Sequence, residues 1–186
     1  MPFIKTGFEG LHIYEPNVFE DNRGYFFESY NEQAFIKEGI HTKFVQDNQA
    51  RSDYGVIRGL HYQLNPYAQT KLIRVLSGSI WDVVVDIRKG SSTYGQNYSI
   101  ELSAKNKKQF FIPAGFAHGY SVISETAEVF YKCDQFWNKE AEGGVLYKDP
   151  ALDIDWKIPE NKQIVSEKDT LYPVLSNISH NFIYKS

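Results

Sequence analysis

Short runs in which apolar and polar residues alternate recur along this 186-residue chain, and turn-forming residues separate them at roughly 8–12-residue intervals. The run 56–64, VIRGLHYQL, illustrates the pattern. Val56, Leu60, Tyr62 and Leu64 fit the period of two that a half-buried strand requires. Aromatic residues make up 16% of the chain, and they favour strands over helices. Many short strands of this kind predict an all-β sandwich or barrel.

Turn residues and one helical segment separate the strands. Hairpin turns are predicted at residues 21–24 (DNRG) and near Gly78, where each turn lies between two apolar runs. The best candidate for a helix is the stretch 31–40, NEQAFIKEGI, which we expect to end at Gly39. From about residue 149 onward, proline and aspartate interrupt the strand pattern. We expect this last part to pack over the barrel as loops and short helical turns.

Composition excludes several classes of function. Lys and Arg number 20 against 23 Asp and Glu, so the net charge of −3 gives no general attraction to nucleic acid or to an anionic membrane. No apolar run approaches the roughly 18 residues of a membrane helix, and the opening stretch MPFIKTGFEGLHIYEP lacks the apolar segment of a signal peptide. The single cysteine, Cys133, rules out an internal disulfide framework and a Cys-rich zinc site. We expect one domain over residues 1–186, located in the cytoplasm.

Two glycine- and histidine-containing motifs attract attention within the strand pattern. One is GLHYQ at residues 59–63, with His61, and the other is PAGFAHGY at residues 113–120, with His118. A histidine in such a strand can be a core residue, a metal ligand or a proton-transfer base, and the motif alone leaves all three open. Paired motifs of this kind resemble those of the cupin jelly roll, which implies a β-barrel with a few short peripheral helices.

Many cupins bind a metal ion through His-x-His, an acidic residue and a histidine of the second motif. Here Gln63 replaces the second histidine, and Lys71 stands where an acidic ligand is wanted. A cation beside a divalent metal is unfavourable, and an amide oxygen is a poorer ligand than imidazole for zinc or iron. We therefore expect no metal, although His61 and His118 keep a metal-dependent cupin oxygenase as a minor alternative.

A narrower resemblance covers nearly the whole chain. The sequence resembles the dTDP-4-dehydrorhamnose 3,5-epimerases, a metal-independent branch of the cupins. Each matching segment alone is a weak signal, but their order along the chain makes the match specific. The segments are DNRGYFFESY, FVQDNQARS, GVIRGLHYQ, KLIRVLSGSIWDVVVDIRKGS, FIPAGFAHGY, FYKCDQFW, DPALDIDW and SEKD.

The resemblance implies an isomerase that converts dTDP-4-keto-6-deoxyglucose toward dTDP-rhamnose. The C4 ketone acidifies the protons on C3 and C5, because each resulting carbanion delocalises into an enolate. Inversion then needs a base, an acid on the other face of the sugar and positive charge near the ketone oxygen. No cofactor is expected, because the ketone itself is the electron sink.

Four residues match the catalytic positions of the family. The resemblance implies that His61 is the base, that Asp169 orients it, that Tyr131 is the general acid and that Lys71 stabilises the enolate oxygen. If the segment after Tyr131 continues as a regular strand, Trp137 lies on the same face. Trp137 occupies a position where the family commonly has a tyrosine stacked on the thymine.

The remaining matches imply contacts to the nucleotide or the sugar. Guanidinium and ammonium groups suit a diphosphate, and polar side chains suit the sugar. On a strand, Gln46 and Asn48 point the same way. The implied binding residues, besides Lys71 and Trp137, are Arg23, Glu28, Gln46, Asp47, Asn48, Arg58, His118, Glu142 and Lys168.

Two features complicate this assignment. Arg58 and His61 are three positions apart, so a flat strand sends their side chains to opposite faces. Either a bulge at Gly59 turns one of the two side chains, or Arg58 acts at a second surface. Family members are homodimers that exchange N-terminal strands, which leaves open whether Arg23 and Glu28 act in the site of their own chain or in the partner's. An epimerase acting at C3 or C5 alone is the closest alternative, and a nucleotide-sugar binding protein without catalysis is a further one.

Overall fold

The computed structural model describes residues 3–184, whose two large β-sheets pack face to face and are antiparallel except for one short parallel pairing. The strands of the first sheet are β1 (Phe3–Lys5), β2 (His12–Tyr14), β5 (Gln46–Asp53), β7 (Lys71–Ser77), β10 (Gln109–Ile112) and β12 (Thr126–Cys133). The strands of the second are β6 (Val56–Gln63), β8 (Ser79–Asp86), β9 (Asn97–Ser103), β11 (Phe116–Val122), β13 (Glu142–Gly144) and β14 (Ile164–Val165). The first sheet has the strand order β1-β2-β10-β7-β12-β5, and the second has the order β13-β6-β11-β8-β9, with β14 beside β6. The predicted all-β jelly roll is therefore confirmed.

The inner core lies between the two sheets. Along β8, Ile80 and Val84 point inward and join Phe110 of the first sheet in one buried cluster. Val83 and Val85, the alternate residues of β8, belong to a second cluster on the outer face. This alternation follows from the period of two in the strand, and it explains why β8 is apolar on both sides.

The C-terminal segment covers that outer face, as its sequence predicted. Trp156 and Phe182 pack on the outward residues of β8 and β11, and the Trp156 indole Nε1 donates to the Tyr147 carbonyl at 2.8 Å. Its regular pieces are short: α2 (Glu167–Thr170) and 3₁₀ turns at Glu160–Lys162 and Leu175–Asn177, besides the earlier turn at Lys139–Ala141. This packing fixes α2 close to β6, where it contributes to the site described below.

The predicted helix is present but shorter than its sequence segment. Helix α1 spans Glu32–Lys37, and the Asn31 side chain caps it by accepting hydrogen bonds from the amides of Gln33 and Ala34. Gly39 follows with φ of +84°, which ends the helix as predicted. Phe35 is the buried residue of this helix and packs against the first sheet. None of the helices in residues 3–184 is long and apolar enough to cross a membrane.

One hairpin forms hydrogen-bonded pairs with neither of the two large sheets. Strands β3 (Val18–Asp21) and β4 (Gly24–Phe27) pair only with each other, around the turn predicted from DNRG. Phe19 and Phe26 are 66% and 72% exposed, although both are large apolar residues. An apolar hairpin held away from its own core is the kind of surface that a protein partner covers.

A bulge in β6 determines where its functional side chains point. His118 and Tyr120 of β11 face His61 and Arg58, so two steps along β11 correspond to three along β6. The extra residue lies at Gly59–Leu60, and as a result Arg58 and His61 both point toward the opposite sheet. In agreement, the Arg58 Nε donates to Ser52 Oγ of the first sheet at 3.1 Å. The bulge considered from the sequence is therefore present, and no second surface is needed for Arg58.

We expect Gly59→Ala to destabilise the fold by roughly 2–5 kcal/mol, from a strained φ and from overpacking. Gly59 has φ of +124°, and a Cβ there would lie 2.5 Å from Gly119 Cα and 2.8 Å from the His118 carbonyl oxygen. Gly7→Ala is the matched control, because Gly7 also has a positive φ but open space around it. Urea denaturation of both variants measures the effect, and equal losses of unfolding free energy would contradict it.

Candidate active site

A cavity of about 200 Å³ opens between the two sheets, and residues of both line it. The first sheet contributes side chains from β5, β7 and β12, and the second contributes side chains from β6 and β13. The lining residues include Gln46, Asn48, His61, Gln63, Gln69, Lys71, Tyr131, Trp137 and Glu142. Three of the four residues with an implied catalytic role thus share one cavity.

His61 is held by the fourth of these residues, Asp169. The His61 Nε2 lies 2.7 Å from Asp169 Oδ1, and the Gly59 amide donates to Oδ2 at 3.2 Å. Asp169 is buried in α2, while His61 is partly exposed to the cavity. Burial acts to raise the pKa of Asp169, but the hydrogen bonds from His61, Gly59 and Ser166 outweigh it and leave the pKa lowered. An ionised Asp169 fixes the imidazole orientation and stabilises its protonated form.

Lys71 and Tyr131 face the cavity from the first sheet. Burial lowers the pKa of the Lys71 ammonium, while Cys133, Asp82 and Glu142 oppose that shift. Burial raises the pKa of Tyr131 to about 12, so its phenol carries a proton at neutral pH and can donate it. The cavity therefore contains an amine and a proton donor on the side opposite His61.

The binding residues of β5 divide between two faces. Gln46 and Asn48 point inward, and the Gln46 Nε2 donates to Asn48 Oδ1 at 3.1 Å. The prediction that Asp47 lines the site is wrong for this chain. Strand alternation turns Asp47 to the outer face, where it accepts from Lys132 Nζ at 2.8 Å.

Trp137 reaches the cavity by a route that the sequence did not predict. Strand β12 ends at Cys133, so the expected common strand face for Tyr131 and Trp137 is wrong. A loop carries Trp137 to the rim of the cavity instead, with 57% of the residue exposed. At the same rim, the Lys168 ammonium contacts the Glu142 carboxylate.

Arg23 and Glu28 do not reach the cavity of their own chain. Arg23 pairs with Asp21 on the hairpin, and Glu28 accepts from the Asn31 Nδ2 at 2.8 Å. The physical reason is that β3 and β4 pair only with each other and do not join the sheets that line the cavity. Of the two placements that the sequence left open, contact with the cavity of the same chain is therefore not found.

His118 lies beneath the cavity rather than in its lining. Its Nε2 is 3.0 Å from both carboxylate oxygens of Asp82, and both residues are buried. Burial disfavours charge on each partner, raising the pKa of Asp82 and lowering the pKa of His118. Asp82 was not predicted from the sequence as a site residue, although an acidic residue inside the apolar run SIWDVVVD could have indicated one.

Tyr172 is a second residue that the sequence analysis missed. Its ring lies 5.7 Å from the His61 ring in an edge-on arrangement. Gly144 is the strand partner of His61, and a Cβ there would lie 2.5 Å from the Tyr172 ring. The Gly143–Gly144 doublet was the available signal, since adjacent glycines in a strand indicate a close approach by another group.

The donor set of the cavity does not suit a divalent metal. Gln63 occupies the position of the second histidine, and its Oε1 already accepts from the Asn138 amide at 2.6 Å. Lys71 lines the same cavity and would repel a cation. Within residues 3–184, no group of three His, Cys, Asp or Glu side chains could hold a metal ion.

The family model for dTDP-4-dehydrorhamnose 3,5-epimerase matches residues 5–177 of the chain. The chain belongs to this family. A dTDP-4-dehydrorhamnose 3,5-epimerase of Shigella flexneri is 48% identical over 170 residues, which are 91% of this chain and 93% of the relative. As a member of the 3,5-epimerase family, the chain is an isomerase.

Solved structures agree with the family assignment. The dTDP-6-deoxy-D-glucose-3,5-epimerase of Legionella pneumophila, in complex with dTDP-4-keto-L-rhamnose, has a TM-score of 0.94 and 43% identity, covering 99% of this chain and 98% of that one. A 3′-monoepimerase of Streptomyces bikiniensis, in complex with dTDP-quinovose, has a TM-score of 0.84 and 29% identity, covering 91% and 86%. The 3,5-epimerase fold is therefore shared with an enzyme of narrower specificity.

We expect acid to destabilise wild type more steeply than Asp169→Asn. Because the pKa of Asp169 is lowered in the folded state, its ionisation stabilises the fold above the unfolded value, near 4. That contribution disappears as pH falls through the folded-state pKa, and asparagine lacks it. Urea titrations between about pH 6 and pH 2 measure the slope of unfolding free energy against pH. Parallel profiles for the two proteins would refute this.

Proposed function

We propose that this chain epimerises C3 and C5 of dTDP-4-keto-6-deoxyglucose to give dTDP-4-keto-rhamnose, a step of dTDP-rhamnose biosynthesis. The observation that carries the proposal is the His61–Asp169 pair on one side of the cavity, at 2.7 Å, with Lys71 and Tyr131 on the other. A base, an oxyanion partner and a proton donor are the three groups that inversion beside a ketone requires.

The first half of each inversion is proton removal. The His61 imidazole takes the proton from the sugar carbon, and the electron pair of the broken C–H bond moves into the enolate. Asp169 stabilises the imidazolium that forms, because its carboxylate is already ionised and in contact with His61 Nε2. Lys71 stabilises the negative charge on the C4 oxygen from within the cavity.

The second half is reprotonation from the other face. Tyr131 gives its phenolic proton to the carbon, the enolate electron pair forms the new C–H bond, and the ketone is restored. Arg58 opposes the effect of burial on Tyr131 and therefore stabilises the phenolate that remains. Solvent then returns a proton to Tyr131 and removes one from His61, so each turnover leaves both groups as they began.

The nucleotide occupies the rim of the same cavity in this proposal. Trp137 offers an exposed indole face for the thymine. Lys168, which contacts Glu142 at the rim, and Arg58, which donates to Ser52 Oγ, supply the cations for the diphosphate. Gln46 and Asn48 contact the sugar from β5. His118 acts from below, through its contact with Asp82 and its proximity to Lys71.

We further propose a homodimer in which Arg23 and Glu28 serve the partner's cavity. The hairpin β3–β4 exposes Phe19, Tyr25 and Phe26, which a second copy of the chain would cover. A cytoplasmic location is proposed as well, since Cys133 is a free and buried thiol that suits a reducing compartment.

Epimerisation at one carbon alone is the second candidate, because the Streptomyces 3′-monoepimerase shares this fold. NMR of dTDP-4-keto-6-deoxyglucose in D₂O with this chain separates the two. We expect deuterium at both C3 and C5, with inverted product. Label and inversion confined to one carbon would support the narrower enzyme, and no label at either carbon would refute both proposals.

Two substitutions assign the base and the acid in that assay. His61→Asn should lower exchange at both carbons by about 10²–10⁴-fold, the usual contribution of a general base. Tyr131→Phe removes only a hydroxyl, so it should retain His61-dependent exchange at one carbon or more while losing most inverted product. Near-normal exchange in His61→Asn, or normal product formation in Tyr131→Phe, would overturn the corresponding role.

Mixed dimers test whether Arg23 acts across the interface. Arg23→Ala and His61→Asn subunits should each be nearly inactive alone. Random mixing should restore roughly a quarter of wild-type activity, because about half of the dimers are mixed and each contains one fully intact site. If Arg23 served its own chain, the mixture would stay inactive, since every site would carry one substitution.

A further inference from the structure

The loop that carries Trp137 is held by side chains from three strands or their ends. It follows β12, and its residues 134–138 form no strand of their own. A strand would satisfy these backbone groups through its neighbours, but a loop needs other partners. The loop is nevertheless fixed, because glutamine side chains make the hydrogen bonds that an adjacent strand would otherwise make.

Gln63 makes the central contacts. Its Nε2 donates to the Phe136 carbonyl at 3.3 Å and to the Tyr67 carbonyl at 2.8 Å, and its Oε1 accepts from the Asn138 amide at 2.6 Å. The residues held on the loop lie immediately before and after Trp137. Gln63 itself is 5% exposed, so these bonds form where water competes little.

Two further glutamines complete the arrangement. The Trp137 amide donates to Gln46 Oε1 at 3.2 Å, and the Gln69 Nε2 donates to the Gln135 carbonyl at 2.7 Å. Four successive loop residues, 135–138, are therefore bound through their main chain. The Trp137 indole remains free of these contacts and faces the cavity rim.

We propose that Gln63 is a positioning residue that fixes the Trp137 indole to receive the nucleotide base, and this rests on the function proposed above. Gln63 suits the task because a primary amide both donates and accepts, and the loop presents a carbonyl and an amide to it. His61 lies two residues earlier on the same face of β6. One strand thus sets the base of the reaction and, through Gln63, the anchor of the nucleotide.

The inference gives Gln63 a purpose at a position where many cupins have a metal-binding histidine. An imidazole at this site has no group that could donate to two carbonyls and accept from an amide at once. Fixing Trp137 before substrate arrives lowers the ordering cost of binding. Gln63 should therefore act mainly on nucleotide affinity and little on the chemical step.

A double-mutant cycle between Gln63→Met and Trp137→Ala tests the proposal, with dTDP as the ligand. Methionine keeps the length of the side chain but makes none of these hydrogen bonds. We expect Trp137→Ala to weaken dTDP binding by about 5- to 150-fold, the range for base–aromatic stacking. Gln63→Met should weaken it by about 5- to 30-fold in wild type, and by less than about twofold when Trp137 is already alanine.

Steady-state kinetics supply the second readout. Gln63→Met should raise KM for the dTDP-sugar while kcat stays within about threefold, since the lost nucleotide anchoring is common to the ground state and the transition state. A general structural fault would lower kcat as well. Gln163→Met is the control, because the Gln163 Nε2 also donates to a backbone carbonyl, that of Ile158, far from the cavity. It should leave both constants unchanged.

Each outcome decides the matter. An equal effect of Gln63→Met with and without Trp137, or no effect at all, overturns the positioning role while leaving the proposed function intact. Unchanged dTDP affinity in Trp137→Ala overturns the nucleotide placement itself, and the role of Gln63 with it.

If Gln63→Met does not fold, Gln69→Met enters the same cycle. It should show the same dependence on Trp137 at a smaller amplitude, and independence from Trp137 would refute the proposal.

Discussion

The bulge at Gly59 is the local constraint on which the site depends. Ile57 and Leu60 both pack in the outer cluster although they are three residues apart, and Arg58 and His61 both point inward for the same reason. Without the extra residue, one of these two polar side chains would enter the apolar layer beneath Trp156. Only glycine tolerates this conformation against Gly119, so the local backbone and the chemistry of the site are set by one position.

Ionisable groups in and around the cavity pair with one another. Lys71 stands near Asp82 and Glu142, Asp82 binds His118, and Asp169 binds the imidazole of His61. Removing one member would leave a partner uncompensated in a medium of low dielectric, which is costly. The same low dielectric strengthens the interaction of Lys71 with a developing enolate. Under the proposed function, the cluster therefore serves folding and catalysis through one electrostatic arrangement.

The sequence was a good guide wherever a local pattern decides structure. Strand periodicity predicted the all-β fold, DNRG predicted the β3–β4 turn, and Gly39 marked the end of α1. The resemblance selected residues that the fold does gather in one cavity, such as His61 and Tyr131. These successes share a cause, because each depends on a few neighbouring residues or on a motif carried over whole.

Long-range arrangement accounts for what the sequence could not provide. Whether Asp47 faces the cavity depends on the register of β5 against β12. The position of the Trp137 side chain depends on the residue at which β12 ends. Asp169 reaches His61 across 108 positions, which no spacing rule anticipates. Asp82 and Tyr172 matter only through contacts with residues of other strands, so their importance appears once the sheets are packed.

The placement of the candidate catalytic side chains on two different sheets bears on the stereochemistry of the reaction. His61 belongs to the second sheet, whereas Lys71 and Tyr131 belong to the first. In the proposed reaction, a sugar bound in the cavity between them presents one face to the base and the other to the acid. If base and acid shared a sheet, the proton would return to the face it left, and exchange would occur without inversion. Facing sheets therefore supply what epimerisation requires and simple enolisation does not: proton removal and proton delivery from opposite sides of the same carbon.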